Sequence, residues 1–439
     1  MPIAERTCTL VTLGCKVNQY ETQYVKETLE INGYREANDG ESADLCVVNT
    51  CTVTGEGDAK SRTAIRRLHQ RNPSAQIVVM GCYATRDPAA IAKLPGVTRI
   101  VTDKAKLADE LRDFGVTEMP AGITRFDDHQ RAFVKVQDGC LLNCSYCIIP
   151  SVRPVVRSRE VDAITGEVAD IIANGYHEVV LTGVHLGHYG IDLSKGRPKS
   201  QWRRLWHLLE ALDEMPGNFR VRLSSLEAAE ARDDLVRAMA NLKRVVPHLH
   251  LCLQSGSDRI LMAMKRRYSA AGFLRRVDRI KHELDTPAFT TDVIVGFPGE
   301  TDADFTETCN VVREVGFAKI HVFSYSARAG TPAAEMRDVV APQIIQERRQ
   351  RLFDLERELT AQYQRRIIGR TLDVLVEGAA PNREGFAMGT SCRYLPVAFP
   401  GHAPVLMRKI VPIVVKSIDD GVLIGAPNAE SYWPRLPLA

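Results

Sequence analysis

The 439-residue sequence contains no run of about 20 apolar residues, the length that a helix needs to cross a bilayer. Its start also lacks the basic region followed by a long apolar stretch that marks a secretory signal peptide. From these two absences we expect a cytoplasmic protein that has no membrane partner.

A strong charge imbalance is missing as well. Lys and Arg number 57 against 54 Asp and Glu, so the formal net charge is only +3. A nucleic-acid partner would therefore be bound by a local basic patch and not by the chain as a whole. A chain of this length is too long for one compact core, so we expect two or three domains.

Cysteine, in contrast, is plentiful, with 11 residues. In a reducing compartment cysteines are more often metal ligands or core residues than disulfide partners. Five of them lie in or beside apolar runs and are interpreted as packing residues: Cys8, Cys46, Cys252, Cys309 and Cys392. The other six form two groups of three, and these carry the functional prediction.

The first segment alternates short apolar runs with amphipathic ones. Strands are predicted at 8–15, 43–51, 75–82 and 98–103, each followed by a helical stretch. Asn18 and Glu21 form an N-x-x-E pattern typical of a helix start, and Gly33 is a suitable stop. The βα repetition predicts an open parallel α/β sheet with helices on both faces.

The second segment has six strand candidates, separated by helical stretches: 132–137, 178–183, 219–225, 248–254, 288–297 and 319–326. Six βα units predict a partial (β/α)6 barrel of the TIM type, with active-site residues at the carboxyl ends of its strands. Polar residues share one face of 219–225 and of 248–254, which predicts a polar or liganded interior.

A charged helix at 342–366 is followed by short alternating strands and glycines, which predict a small antiparallel β-barrel. This tail has a mild basic excess, which is compatible with RNA contact. The expected domains are 6–118, 126–356 and 359–426.

Residues 137–150 read QDGCLLNCSYCIIP, which places Cys140, Cys144 and Cys147 within eight residues. Thiolates bind zinc and iron–sulfur clusters, and both usually take four protein ligands. One interpretation is a structural zinc site with a distant fourth ligand such as a histidine. The other is a four-iron cluster with one open iron. The C-x3-C-x2-C spacing closely resembles that of the radical S-adenosylmethionine enzymes.

This resemblance implies that the amino and carboxylate groups of S-adenosylmethionine fill the open position and that its reductive cleavage gives a radical. It also implies cofactor contacts at Thr182, Gly183, Ser224, Glu227, Gln254, Gly296, Pro298 and Gly299. Turn chemistry alone is the alternative for the glycines. A buried ion pair is a fair alternative for Arg222 and Glu227, and His185 and His188 receive no role.

Cys15, Cys51 and Cys82 each follow a predicted strand of the first segment. The carboxyl ends of parallel strands form the ligand crevice of such a sheet, so these cysteines are expected to converge. Three ordinary core residues are the alternative. The phrases TLGCKVNQYETQ, VNTCTVT and GCYA resemble the methylthiotransferase family, in which three N-terminal cysteines hold a second 4Fe–4S cluster. The resemblance covers nearly the whole chain and implies that the tail is a TRAM domain, a small RNA-binding barrel.

Members of this family act on isopentenyladenosine in tRNA, on threonylcarbamoyladenosine in tRNA, or on an aspartate of a ribosomal protein. LGCKVNQYET, NTCTVT, GCYA and VKVQDGC are most similar to the threonylcarbamoyladenosine branch. One departure is Arg153-Pro154, where the family has Arg-Gly. Because proline fixes φ and removes a donor, the substrate-facing loop is expected to differ.

The resemblance thus implies methylthiolation of carbon 2 of N6-threonylcarbamoyladenosine beside the anticodon, with two molecules of S-adenosylmethionine and two 4Fe–4S clusters. The base has to leave its stack to react. The implied partners are the tRNA anticodon stem-loop, an electron donor such as flavodoxin or ferredoxin, and a sulfur source. The alternatives are a sibling enzyme with one of the other two substrates, and a non-enzymatic iron–sulfur carrier or zinc RNA-binding protein.

Overall fold

The computed structural model describes residues 6–428. The first region is a parallel sheet in the order β2–β1–β3–β4–β5. Its strands are β1 (Arg6–Thr12), β2 (Tyr34–Glu36), β3 (Leu45–Thr50), β4 (Gln76–Gly81) and β5 (Val97–Ile100). Its helices are α1 (Lys16–Ile31), α2 (Gly55–Arg71), α3 (Cys82–Arg86), α4 (Pro88–Ala92) and α5 (Leu107–Leu111).

The central strand β3 is buried along its whole length and feeds two cores. Leu45 and Val47 pack on the side of α1 and α5, while Cys46 and Val48 pack on the side of α2 and α4. This follows from the period of two along a strand. The predicted open sheet with helices on both faces is confirmed, and β2 is a short strand that the sequence pattern did not indicate.

The predicted start of the first helix is wrong. Helix α1 begins at Lys16, directly after Cys15, and Asn18 and Glu21 are buried within it. The Asn18 amide donates to the carbonyls of Leu13 and Thr50, so it ties the helix to two strand ends and does not cap it. The predicted stop is confirmed, because the helix ends at Ile31 and Gly33 has a left-handed φ of 82°.

The second region is a partial barrel of two four-stranded sheets, β7–β6–β8–β9 and β10–β11–β12–β13. Apart from the short β7, neighbouring strands in each sheet are parallel. The predicted strand 219–225 is interrupted at Ser224, and the two sheets meet there. The strands are β6 (Ala132–Asp138), β7 (Arg157–Ser158), β8 (Glu178–Gly183), β9 (Arg220–Leu223), β10 (Ser225–Glu227), β11 (His248–Cys252), β12 (Ala288–Val295) and β13 (Lys319–Ser324).

Helices pack around this barrel and bury its largest apolar core. They are α6 (Ile149–Val152), α7 (Val161–Ala173), α8 (Leu205–Asp213), α9 (Asp233–Asn241), α10 (Asp258–Ala263), α11 (Ala270–Glu283), α12 (Asp302–Val315) and α13 (Pro342–Ile367). The predicted partial (β/α)6 arrangement is confirmed. The domain limits 6–118, 126–356 and 359–426 stay predictions. Helix α13 runs without a break across the predicted boundary between residues 356 and 359.

The third region is a closed barrel in the order β14–β15–β16–β18–β17, with a short helix α14 (Ala403–Leu406) beside it. All its pairs are antiparallel except β16 with β18, which agrees with the predicted small barrel of the TRAM type. The strands are β14 (Thr371–Ala379), β15 (Phe386–Ser391), β16 (Pro396–Pro400), β17 (Ile410–Asp419) and β18 (Val422–Pro427). In the described part of the chain, no helix is long and apolar enough to cross a membrane.

The polar face of β9 joins this small barrel to the central region. Arg220 and Arg222 both bind the fully buried carboxylate of Glu178. Arg220 also donates to the carbonyl of Asp373 at 2.6 Å, and Arg222 to that of Ser391 at 2.9 Å. The expectation that this face lines a liganded interior is therefore wrong for Arg220 and Arg222, which anchor the third region.

Candidate functional site

Three strands of the first sheet end at cysteines. Cys15 follows β1, Cys51 follows β3 and Cys82 follows β4 as the first residue of α3. Burial raises the pKa of the Cys51 thiol, and negative charge on Cys82 and Cys15 raises it further. A Cβ on Gly14, beside Cys15, would lie only 2.9 Å from the Cβ of Cys51. The sheet thus brings Cys15, Cys51 and Cys82 together, and we refer to them as the edge triad.

Cys140, Cys144 and Cys147 lie on the loop between β6 and α6, and we refer to them as the loop triad. Burial raises the pKa of the Cys147 thiol to about 12, and charge on Cys144 and Cys140 contributes. Burial likewise raises the pKa of Cys140. The backbone N–H of Leu142 donates to the Cys140 sulfur at 3.4 Å.

In neither triad are the three sulfur atoms gathered as closely as the ligands of one bound zinc ion. A zinc ion bound at about 2.3 Å to each sulfur holds its ligands within about 4 Å of one another. Among residues 6–428, neither triad has its three sulfurs within 4.8 Å of one another. Burial and mutual repulsion raise the pKa of these thiols, so a bound cationic centre is needed to hold them as thiolates. Three such donors fit an iron–sulfur cluster.

The two triads meet at the contact between α3 and α6. Cys82 packs with Ile148 and Val152, which directly follow the loop triad. The Arg153 Nε–H donates to the Cys82 sulfur at 3.3 Å. Cys82, of the edge triad, therefore touches the segment that carries the loop triad.

A buried ion network surrounds this contact. Arg153 Nη1 donates to Glu21 at 2.9 Å and to Asp138 at 2.8 Å, and Lys135 and Lys104 also bind Glu21. Burial alone would raise the pKa of Glu21, but Arg153, Lys104 and Lys135 hold it well below its usual value. A cavity of about 320 Å³ lies beside the network, lined by both regions.

Glycine precedes a cysteine at three of the six triad positions: Gly14, Gly81 and Gly139. All three have left-handed φ values, of 104°, 99° and 79°. A Cβ on Gly81 would lie 2.4 Å from the carbonyl oxygen of Thr50, and one on Gly139 would lie 2.0 Å from that of Val155. Only glycine fits these turns. The repeated Gly-Cys dipeptide is the signal in the sequence that indicates these turns.

Glu227 is the predicted cofactor residue with the most informative surroundings. Its Oε2 accepts from Arg266 at 2.6 Å, whereas Oε1 is buried without a partner among the described residues. Arg266 also donates to the Cys144 sulfur at 3.3 Å. Arg266 thus lies between Glu227 and the loop triad. The unpaired carboxylate oxygen of Glu227 can accept a hydrogen bond from the amino group of a bound methionyl ligand. The alternative of a buried ion pair is thus correct in kind, but Glu227 pairs with Arg266 and Arg222 pairs with Glu178.

Thr182, Gly183 and Ser224 lie together at the ends of β8 and β9. Thr182 and Ser224 are buried, and the Ser224 N–H donates to the carbonyl of Leu181. A Cβ on Gly183 would lie 2.9 Å from Oε1 of Gln137, so this strand end has no room for a side chain. Their contact with a cofactor stays a prediction.

Gln254 lies just beyond β11 and has a left-handed φ of 62°. Gly296, Pro298 and Gly299 form the turn after β12, and both glycines have positive φ. The Gly296 N–H donates to Glu300 at 2.7 Å, and the Gly299 N–H to the carbonyl of Asp338 at 2.6 Å. Turn chemistry accounts for both glycines, and adenine contact at these residues stays a prediction.

Two further polar groups belong to the second region. His185 stacks on His188 at 3.8 Å, and neither ring nitrogen of His185 has a hydrogen-bond partner in residues 6–428. Burial lowers the pKa of His185 to about 3, so the ring is neutral. His250, Cys252 and Asp292 form a compact polar group, with His250 Nε2 at 3.2 Å from Asp292.

Apart from Cys252, the cysteines interpreted as packing residues are buried: Cys8, Cys46, Cys309 and Cys392.

A second contact joins the first sheet to the barrel. Arg328 donates to Asp58 at 2.7 Å and to Thr52 at 2.8 Å. Asp58 also accepts from Arg86, whose other nitrogen donates to the carbonyl of Ala329.

Pro154, the residue at which the sequence departs from the family pattern, is exposed. It follows Arg153, whose carbonyl accepts from the Cys140 N–H.

Two family models match the chain. Residues 7–103 match uncharacterized protein family UPF0004, and residues 134–312 match the radical SAM superfamily. These ranges contain the edge triad and the loop triad respectively.

Among solved structures, the chain is similar to the radical S-adenosylmethionine methyltransferase TsrM from Kitasatospora setae, with a TM-score of 0.54 and 14% identity over 75% of this chain and 77% of that one. It is also similar to the cobalamin-dependent S-adenosylmethionine radical enzyme OxsB, with a TM-score of 0.52 and 10% identity over 81% and 56%. At these identities the likeness concerns the fold alone.

Curated relatives are similar along nearly the full length. A Chlamydia pneumoniae protein named threonylcarbamoyladenosine tRNA methylthiotransferase MtaB is 39% identical, covering 97% of this chain and 99% of the relative. The Bacillus subtilis protein of that name is 36% identical over 97% and 96%. A tRNA-2-methylthio-N(6)-dimethylallyladenosine synthase from Mycolicibacterium paratuberculosis is 37% identical over 84% and 76%.

The radical SAM match over residues 134–312, together with these relatives, defines the class of the protein as a radical S-adenosylmethionine enzyme. With its UPF0004 region and these relatives, the chain belongs to the radical S-adenosylmethionine methylthiotransferase family, in the branch of the MtaB proteins. Enzymes of this kind use S-adenosylmethionine and carry two 4Fe–4S clusters.

Proposed function

We propose that this enzyme converts N6-threonylcarbamoyladenosine of tRNA to its 2-methylthio derivative. The observation that carries the proposal is the contact of Cys82, of the edge triad, with Ile148 and Val152, which lie in the segment that follows the loop triad. The relatives named for this substrate support it, at 39% and 36% identity over 97% of the chain.

In this proposal the loop triad holds the cluster that binds S-adenosylmethionine, and the edge triad holds the second cluster. When bound, the clusters supply the electron that cleaves S-adenosylmethionine and the sulfur that is transferred. Glu227 accepts from the methionyl amine through its unpaired Oε1, while Arg266 holds the other oxygen. Arg153 and Glu21 hold the two regions at a fixed separation.

Other parts of the chain would bind the partners. The small barrel β14–β18 and the basic side of α13 would contact the backbone of the tRNA anticodon stem-loop. The adenine would be flipped out of its stack towards the contact between the first and second regions, where the two triads lie. An electron donor of the flavodoxin or ferredoxin type, a sulfur source and a cytoplasmic location belong to the same proposal.

Nucleoside mass spectrometry of tRNA tests the substrate. Deletion of the gene should remove 2-methylthio-N6-threonylcarbamoyladenosine, leave its unmodified precursor, and be reversed by the wild-type chain and not by Cys144→Ala. Persistence of the methylthio nucleoside in the deletion strain would reject the substrate. Loss of the 2-methylthio derivative of isopentenyladenosine instead would favour the function named for the Mycolicibacterium relative.

The same proposal predicts the iron content of the purified chain. Anaerobic reconstitution should give about eight irons per chain, from two four-iron clusters. A chain that binds zinc alone would contradict the cluster assignment and revive the zinc-protein alternative.

A further inference from the structure

One guanidinium, that of Arg153, connects the two cluster sites. Its Nε donates to Cys82, Nη1 donates to Glu21 and Asp138, and Nη2 donates to Asn18 at 3.1 Å and again to Glu21 at 3.0 Å. An arginine has five N–H donors, so each has an acceptor here. The side chain is only 5% exposed.

These acceptors leave the guanidinium one orientation. Glu21 and Asn18 belong to α1, and Asp138 ends β6, so both regions hold the same planar group. Glu21 is itself held by Lys104 and Lys135. The Nε–H is therefore directed at the sulfur by the anchoring of the other two nitrogens, and it cannot turn away without breaking bonds to a buried carboxylate.

An arginine–sulfur contact alone does not indicate a function. Arg393 donates to Cys392, but these are neighbours in the chain and lie in the small barrel. Arg153 and Cys82 are 71 residues apart and belong to different regions. The loop triad has a counterpart, since Arg266 donates to Cys144 at the same distance of 3.3 Å and is anchored by Glu227. Each triad thus has one anchored arginine on one of its sulfurs.

Hydrogen bonds to ligand sulfurs raise the reduction potential of an iron–sulfur cluster, because they stabilise the added negative charge. We propose that Arg153 is a positioning residue that sets the reduction potential of the cluster at the edge triad and fixes Cys82 against the loop triad. This inference rests on the proposed ligand role of Cys82. It assigns to this arginine a task separate from that of Arg266.

The test uses the full-length chain in which Cys140, Cys144 and Cys147 are replaced by alanine, so that only the edge triad can bind a cluster. Iron is counted, and the reduction potential is measured by an EPR-monitored titration. Arg153→Lys keeps the positive charge, but a single ammonium cannot serve all these acceptors. We expect about four irons and a potential shifted to a more negative value. The matched control, Arg266→Lys, should leave this potential unchanged.

An unchanged potential in Arg153→Lys at full iron content would overturn the inference. If Arg153→Lys binds less iron, Glu21→Gln is titrated instead, since it keeps Nε–H and removes the charged acceptor that both Nη atoms bind. A shift to a more negative potential there supports the inference, because loss of the Glu21 charge alone would make the potential more positive. An unshifted or more positive potential overturns it. If the parent triple variant binds no iron, the ligand role of the edge triad fails, and the inference fails with it; the iron count separates these cases.

Discussion

The loop triad and the edge triad each contain three cysteines, but the chain brings them together in different ways. The loop triad occupies eight consecutive residues, and its surroundings come from Glu227 and Arg266 of the same barrel. The edge triad takes one cysteine from each of three strand ends, so its geometry depends on the register of the whole first sheet. The positions of the loop-triad cysteines therefore depend mainly on one loop. The positions of the edge-triad cysteines depend on three separate turns, and a substitution in any of these turns can displace one of them.

The largest effects should come from removing one cysteine of either triad. Cys144→Ala should abolish formation of 5′-deoxyadenosine, because the cluster that cleaves S-adenosylmethionine loses a ligand. Cys51→Ala should spare that cleavage and abolish methylthio transfer. Quantification of both products by mass spectrometry checks the division of labour. Methylthio transfer by Cys51→Ala would contradict the role of the edge triad.

A large effect on stability, without an effect on either triad, is expected at Glu178. Breaking a buried ion pair by removing one partner costs about 3–5 kcal/mol, and Glu178→Gln leaves Arg220 and Arg222 without their carboxylate. Urea unfolding measures this loss. Iron content under native conditions should match that of the wild type, and a selective loss from one triad would contradict the separation of this network from the site.

The pH dependence of stability follows from the same residue. Burial opposes ionisation of Glu178, but Arg220, Arg222 and Arg131 hold its pKa well below the usual 4.5. Its contribution is therefore present above about pH 4.5 and is lost as the pH falls towards the lowered pKa of the folded state. Glu178→Gln should show a weaker loss of stability on acidification, and an identical slope would contradict this assignment.

An intermediate effect is expected at the glycines that precede the cysteines. Gly81→Ala would place a Cβ 2.4 Å from the Thr50 carbonyl, and Gly139→Ala would place one 2.0 Å from that of Val155. The first change should remove iron from the edge triad only, and the second from the loop triad only. We expect about tenfold lower occupancy, since strain and clash together cost at least about 1.4 kcal/mol. Mössbauer spectra can assign the remaining cluster, and equal loss from both sites in either variant would contradict their independence.

The smallest effect is expected at Cys252, a cysteine outside both triads. Its thiol lies 4.0 Å from Asp292 and is half-buried. Cys252→Ser should leave the iron content unchanged and alter methylthio transfer by about twofold or less. A loss of four irons would mean that a triad had been assigned wrongly.

The sequence allowed the loop triad, the parallel sheet, the partial barrel and the small closed barrel to be predicted, because each follows from local spacing or periodicity. The expectations failed where distant elements compete for a residue. Glu21 has the pattern of a helix start, but three cations from other elements bind it. Arg220 and Arg222 have the pattern of a lined cavity, but they bind a strand neighbour and the third region. Arg266 carries no local pattern at all.

The Arg153–Glu21 contact has a consequence for the construction of hybrid enzymes. Exchange of the first 118 residues between relatives would separate Glu21 and Asn18 from Arg153, and Asp58 from Arg328. A first region that supplies the three cysteines but not Glu21 and Asp58 would leave Arg153 and Arg328 without their carboxylate partners at the buried contact between the two regions. Relatives that are suitable for such an exchange can therefore be chosen by whether they have these partners on both sides of the contact, before any activity is assayed.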